Sequence, residues 1–132
     1  MATIKRFEDL EIWQTARELA KKVKRLTETE LFSKDFRFRN QINASAGSVM
    51  DNITEGFERS SRLEFVNFLS ISKGSVGEVR SQLYRPINYN YLKADEVLPI
   101  VNEYEALASA LAGFIAYLNK SLHKGQKFKE RT

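Results

Sequence analysis

The chain has 132 residues, 42% hydrophobic and 29% charged, with no cysteine and a net charge of +4. That is enough for one domain with its own core, and it excludes disulfides and thiolate metal sites. The charge is uneven: Lys124, Lys127, Lys129 and Arg131 face only Glu130 after Leu122, so this tail carries +3 and the preceding 122 residues only +1. A basic balance confined to a tail is weak grounds for nucleic-acid binding by the body. No apolar run follows Met1 to Lys5, so no signal peptide is expected. No stretch nears the roughly 18 apolar residues of a membrane span, and a cytoplasmic location is expected.

Hydrophobic spacing predicts four helices and no strand, at about 9–29, 35–58, 61–86 and 95–122. In the first, Leu10, Trp13, Ala16, Ala20, Val23 and Thr27 step by three or four and form one stripe, with Asp9 as N-cap. In the second, the stripe is Phe38, Ile42, Ser45, Val49, Ile53 and Gly56; the small run Ala44 to Ser48 places this helix centrally. Ser60 or Ser61 caps the third, with Glu64 completing a capping box after Ser61. Phe65, Phe68, Leu69, Ser72, Val76, Val79 and Leu83 form its stripe, and Pro86 should end or kink it. Asp95 caps the fourth, whose stripe runs from Val97 through Val101, Tyr104, Ala108, Leu111, Ile115 and Leu118 to Leu122. Short links between long amphipathic helices imply an all-α, antiparallel up-and-down four-helix bundle. Residues 123–132 read as a basic, disordered tail.

Three runs carry a family resemblance. They are Phe7-x-x-Leu10-x-x-Trp13-x-x-Ala16, then Ser48-x-x-x-Asn52-Ile53-x-Glu55-Gly56, then Phe65-x-x-Phe68-Leu69 followed by Gly74-Ser75-x-x-Glu78. Over about residues 7–120 the chain resembles the four-helix-bundle proteins encoded in intervening sequences of bacterial 23S ribosomal RNA genes. That family is related to the accessory variability proteins of diversity-generating retroelements. The resemblance implies a homopentameric ring and, for the retroelement relatives, binding to nucleic acid and to a reverse transcriptase. The sequence departs from the family pattern at Arg85-Pro86-Ile87, and Asn90-Tyr91-Leu92 stands where the family has a Gly-Tyr-Leu turn.

Candidate functional residues fall into three sets. Arg17, Lys21, Lys22, Lys24 and Arg25 form a basic arc on the first helix, extended by Lys34, Arg37 and Arg39. Such an arc suits a phosphate backbone; it equally suits a solvated face with a Glu18–Lys22 pair. Gln41, Ser48, Asn52, Glu55 and Arg59 edge the second helix, either as a partner groove or as hydrogen bonds between helices. Asn67, Ser70, Ile71, Gly74, Glu78 and Ser81 lie on the third helix opposite its apolar stripe, and read either as a subunit contact or as a weakly polar exposed face.

The sequence gives no pattern for catalysis. Glu55 and Glu78 lack the Glu-x-x-His partners of a bundle metal centre, and the one histidine, His123, lies in the tail. There is no nucleophile elbow, phosphate loop or dinucleotide fingerprint, so no enzyme activity, metal or cofactor is expected. No aromatic side chain is obviously exposed for base stacking, with Phe128 in the tail as the one exception, so nucleic-acid contact is expected to be backbone-driven. Two functions stay open: a self-assembling scaffold that binds RNA or DNA, and a module that binds a partner enzyme such as a reverse transcriptase.

Overall fold

The computed structural model describes the backbone of residues 4–131 and the side chains of residues 4–121. It is all-α: a 3-10 turn at Phe7–Asp9 precedes α1 (Glu11–Thr27), α2 (Glu30–Ser33), α3 (Phe36–Glu58), α4 (Arg62–Asn88) and α5 (Ala94–Arg131). The four long helices close a ring of contacts: α1 packs on α3, α3 on α4, α4 on α5, and α5 back on α1. Their shared core holds Val23, Ile42, Ile53, Leu69, Val79, Tyr104 and Leu111, all fully shielded from solvent.

The first predicted helix is divided. Leu10, not Asp9, occupies the cap position and makes no side-chain cap bond. The buried stripe of α1 is Ile12, Ala16, Leu19, Val23 and Thr27, while Trp13 and Ala20 are only partly covered. The helix stops at Thr27, and Thr29 is extended, which frees α2 to turn inward. That turn buries Phe32 completely and stacks it on Phe38 at 5.1 Å. Burying one such ring contributes about 2–3 kcal/mol, more than continuing a polar helix would.

The second and third helices follow their patterns closely. Asp35 caps α3 by accepting from the Phe38 amide at 3.3 Å, and all six stripe residues of this helix are buried. Ser61 caps α4, its Oγ accepting from the Glu64 amide at 3.1 Å. Gly56 sets the crossing of α3 and α4: a Cβ there would lie 2.7 Å from Phe68 Cβ.

Pro86 neither ends nor opens α4; it lies buried inside the last turn, which runs on to Asn88. The stop comes from a Schellman arrangement. The Tyr91 amide donates to the Pro86 carbonyl at 2.8 Å, and the Asn90 amide to that of Ile87 at 3.1 Å. Asn90 sits at φ 60°, the left-handed region that asparagine tolerates best after glycine. This explains how Asn90 substitutes for the glycine of the resembled turn. α5 starts one residue before the expected cap: Asp95 lies in its first turn, and the Lys93 amide is held by Glu96 Oε2 at 2.8 Å. The helix continues to Arg131, past the predicted end at Leu122, and the side chains of the predicted tail lie outside the described residues.

Candidate nucleic-acid interface

The structure divides the predicted basic set in two. On α1, three of the five cations are matched by acids. Lys22 reaches across to Glu103 of α5 at 2.8 Å, Lys21 lies 3.4 Å from Glu18, and Lys24 lies 3.6 Å from Glu28. The predicted Glu18–Lys22 pair is therefore replaced, because α5 offers Lys22 a carboxylate that binds with both oxygens. Arg17 lies over the Trp13 ring at 5.7 Å, and Arg25 Nε donates to the Lys21 carbonyl at 3.4 Å. Exposed pairs like these add little stability, but they cancel much of the field that would attract phosphate. Beside them, a groove of about 490 Å³ between α1 and α5 is rimmed by Glu11, Glu18 and Glu103, the wrong sign for a polyanion.

The remaining cations gather elsewhere. Lys34, Arg37 and Arg39 flank the start of α3, and Arg85 comes in from the last turn of α4. None of the four forms an ion pair among the described residues. Arg37 and Arg85 line a cleft of about 350 Å³ with Asp35, Phe38, Gln41 and Tyr89. Arg85 stacks on Phe38 at 4.8 Å and donates to Gln41 Oε1 at 3.3 Å. Arg39 stacks on Phe36 at 5.1 Å and donates to the Ser33 carbonyl at 3.2 Å. Asp35, the one acid of the cleft, accepts from the Phe38 amide and from the Tyr91 hydroxyl at 2.9 Å. That hydrogen bond raises the pKa of Tyr91.

This end of the molecule also corrects the expectation about aromatics. Phe36 is 65% exposed and Tyr89 55% exposed. The signal for Phe36 was present: it lies two residues before Phe38, about 200° around a helix, so it must face out when Phe38 faces in. In the sequence Arg85 stands out only as a departure from a pattern, since its place in one cleft with Arg37 depends on how α3 and α4 pack.

The other two sets have different surroundings. Ser48 meets Ser75 of α4 at 3.0 Å, and Asn52 Nδ2 donates to the Ser48 carbonyl at 2.8 Å and to its Oγ at 3.0 Å. With Ser72 Oγ donating to the Val49 carbonyl at 2.7 Å, these groups form a polar seam between α3 and α4. Glu55 and Arg59 pair at 2.7 Å on the surface, and Arg59 covers the Phe68 ring. On α4, Asn67, Ile71, Gly74 and Glu78 are all exposed. A Cβ on Gly74 or Gly77 would meet nothing within 4 Å, so packing inside this chain does not require either glycine. Among the described residues, no three metal-ligating side chains converge, and no helix is long and apolar enough to cross a membrane.

The polar seam and the Gly74-Ser75 pair belong to the motifs on which the resemblance rested. The family model of the 23S rRNA-intervening sequence protein matches residues 8–113. The chain belongs to this family. A crystal structure of a protein of unknown function from Bacteroides thetaiotaomicron VPI-5482, assigned to the S23 ribosomal protein family, has a similar fold. The TM-score is 0.72 at 24% identity, over 79% of this chain and 97% of that one. No curated protein matches the chain. For this 23S rRNA-intervening sequence family member, a functional reading therefore starts from its surface.

Proposed function

We propose that the protein is a non-enzymatic scaffold, an up-and-down four-helix bundle that assembles into a homopentameric ring and binds RNA or DNA without strong sequence specificity. The observation that carries this reading is that Arg37 and Arg85, which form no ion pair among the described residues, line a cleft whose acid, Asp35, is already engaged, with Lys34 and Arg39 flanking the same start of α3. Repetition around a ring would present that cluster several times to one polyanion. The exposed α4 face supports assembly: Ile71 is 52% exposed beside two mid-helix glycines that packing among the described residues does not require. The membership of the rRNA-intervening sequence family and the resemblance to retroelement accessory proteins point the same way.

The test is fluorescence anisotropy of a labelled RNA hairpin and a DNA duplex across a salt series. Four phosphate contacts predict a loss of about 100-fold in affinity between about 50 and about 200 mM salt. Reversing Arg37 and Arg85 to glutamate should flatten the salt slope by about 2. Reversing Lys21, Lys22 and Arg25 should cost less, because acids already offset two of them. Absence of binding at low salt removes this reading. A second reading, a module for a partner protein such as a reverse transcriptase, is favoured by the apolar floor of the α1–α5 groove, where Ile12, Leu19 and Leu107 lie.

A further inference from the structure

We infer that the cleft between α3 and α4 takes an unpaired nucleotide, with its phosphate between Arg37 and Arg85 and its base stacked on Tyr89. The inference rests on the nucleic-acid reading above and names the kind of nucleic acid: single-stranded or looped, not continuous duplex.

The cleft brings the required chemistries to one place. Arg37 has no acid partner among the described residues, and Arg85 spends one N–H on Gln41 while its plane rests on Phe38. A guanidinium has five N–H donors in a fixed fork, so Arg85 keeps donors free and has its orientation set by the ring beneath it. Phosphate oxygens match such forks, and a phosphate can be held by two of them at once.

Tyr89 supplies the other half. Its ring packs edge-on against Tyr91 at 5.7 Å, and the Tyr91 hydroxyl is tied to Asp35 at 2.9 Å. Asp35 is in turn engaged by the cap of α3. The exposed ring is therefore braced before any ligand arrives, which lowers the ordering cost of stacking on it. Phe36, exposed and covered on one side by Arg39, lies outside the cleft on the opposite face of α3 from Phe38. Gln41 offers an amide that can meet a base edge as donor or acceptor, so the cleft accepts different bases.

Duplex bases are stacked on both faces and cannot present a free ring to Tyr89. Only a base outside a helix can do so, which is how aromatic platforms come to prefer single strands, loops and bulges. A volume of about 350 Å³ is at the small end of ligand clefts, suited to one nucleotide and not to a wide groove.

The experiment uses the full chain and a single-stranded RNA of about ten nucleotides carrying 2-aminopurine, whose fluorescence falls on stacking. The wild-type chain should quench the probe and bind it more tightly than a duplex of equal length. Tyr89→Ala should abolish the quench and weaken single-strand binding by about five- to hundredfold, more than it weakens duplex binding. Tyr89→Phe keeps the ring and should keep both properties; circular dichroism checks that each variant is folded. Salt-dependent binding with no quench, or with equal affinity for single strand and duplex, overturns the inference and leaves the scaffold reading standing. No binding to either probe at low salt overturns both.

Discussion

Gly56→Ala tests whether the α3–α4 crossing is as close as described. The added Cβ would stand 2.7 Å from Phe68 Cβ, 3.0 Å from Phe65 Cδ1 and 3.3 Å from the Phe65 carbonyl oxygen. Carbon atoms prefer about 3.5–4.0 Å, so the first contact is short by about 1 Å. Phe68 Cβ is anchored to its own backbone and cannot rotate away, so the two helices must part. Overpacking of this kind costs about 1–3 kcal/mol, and the upper end applies where backbone must move. Alanine regains about 1 kcal/mol of helix propensity, which leaves a net loss of about 2 kcal/mol. At roughly 4 °C per kcal/mol for a domain of this size, the Tm should fall by about 8 °C. Gly47→Ala is the control on the same helix: nothing lies within 4 Å of its Cβ, and it should gain up to about 1 kcal/mol. Thermal unfolding followed by circular dichroism reads both. An unchanged or raised Tm for Gly56→Ala refutes the close crossing.

Further consequences concern the core, the caps and the surface. Among the described residues the Tyr104 hydroxyl is buried without a hydrogen-bond partner, so Tyr104→Phe should stabilise the fold by about 1 kcal/mol in urea titrations. Burial raises the pKa of Tyr104 above its ordinary value, so the unfolded chain loses that proton first as the medium becomes alkaline. Stability should therefore fall above pH about 10, by at most about 1.4 kcal/mol per pH unit from this group, and Tyr104→Phe should lessen that slope. Ser61→Ala removes the cap of α4 and should cost about 1 kcal/mol in the same titration, with Ser61→Asp retaining the acceptor. Gly74→Ala should leave the fold intact yet weaken self-association in sedimentation; an unchanged mass distribution counts against that face as a contact.

Much of the fold was legible because core positions repeat at helical spacing. The α3 stripe is buried at every predicted position, and Asp35 and Ser61 cap where short polar side chains precede apolar runs. The division of the first helix was not legible. It depends on Phe32 finding Phe38 across the turn into α3 and Tyr91, which is distant in sequence and is brought there only by packing. Pro86 misled for a related reason: it costs one backbone hydrogen bond but is buried by packing, and the helix runs two residues past it before the Schellman bonds close it. The site was half legible. Arg37 shows in the sequence by its charge, while Arg85 and Tyr89 join it only because the end of α4 lies beside the start of α3. The α1 arc shows the converse: charge counted along one helix overlooked Glu103, which lies 81 residues from Lys22.

The Lys22–Glu103 bridge also bears on how the protein is made. The seam between α1 and α5 joins a helix made before α3 and α4 to one made after them. Until α5 emerges, α1, α3 and α4 can form only an open layer, with Ile12 and Leu19 of α1 facing a gap that Leu107 will later cover. Contacts between segments far apart in sequence form slowly because a long loop must close first, so synthesis passes through a stage in which the apolar interior of this bundle of helices is uncovered on one side. Destabilising changes in α5 should therefore reduce the yield of native protein during synthesis more strongly than they reduce the stability of the finished fold.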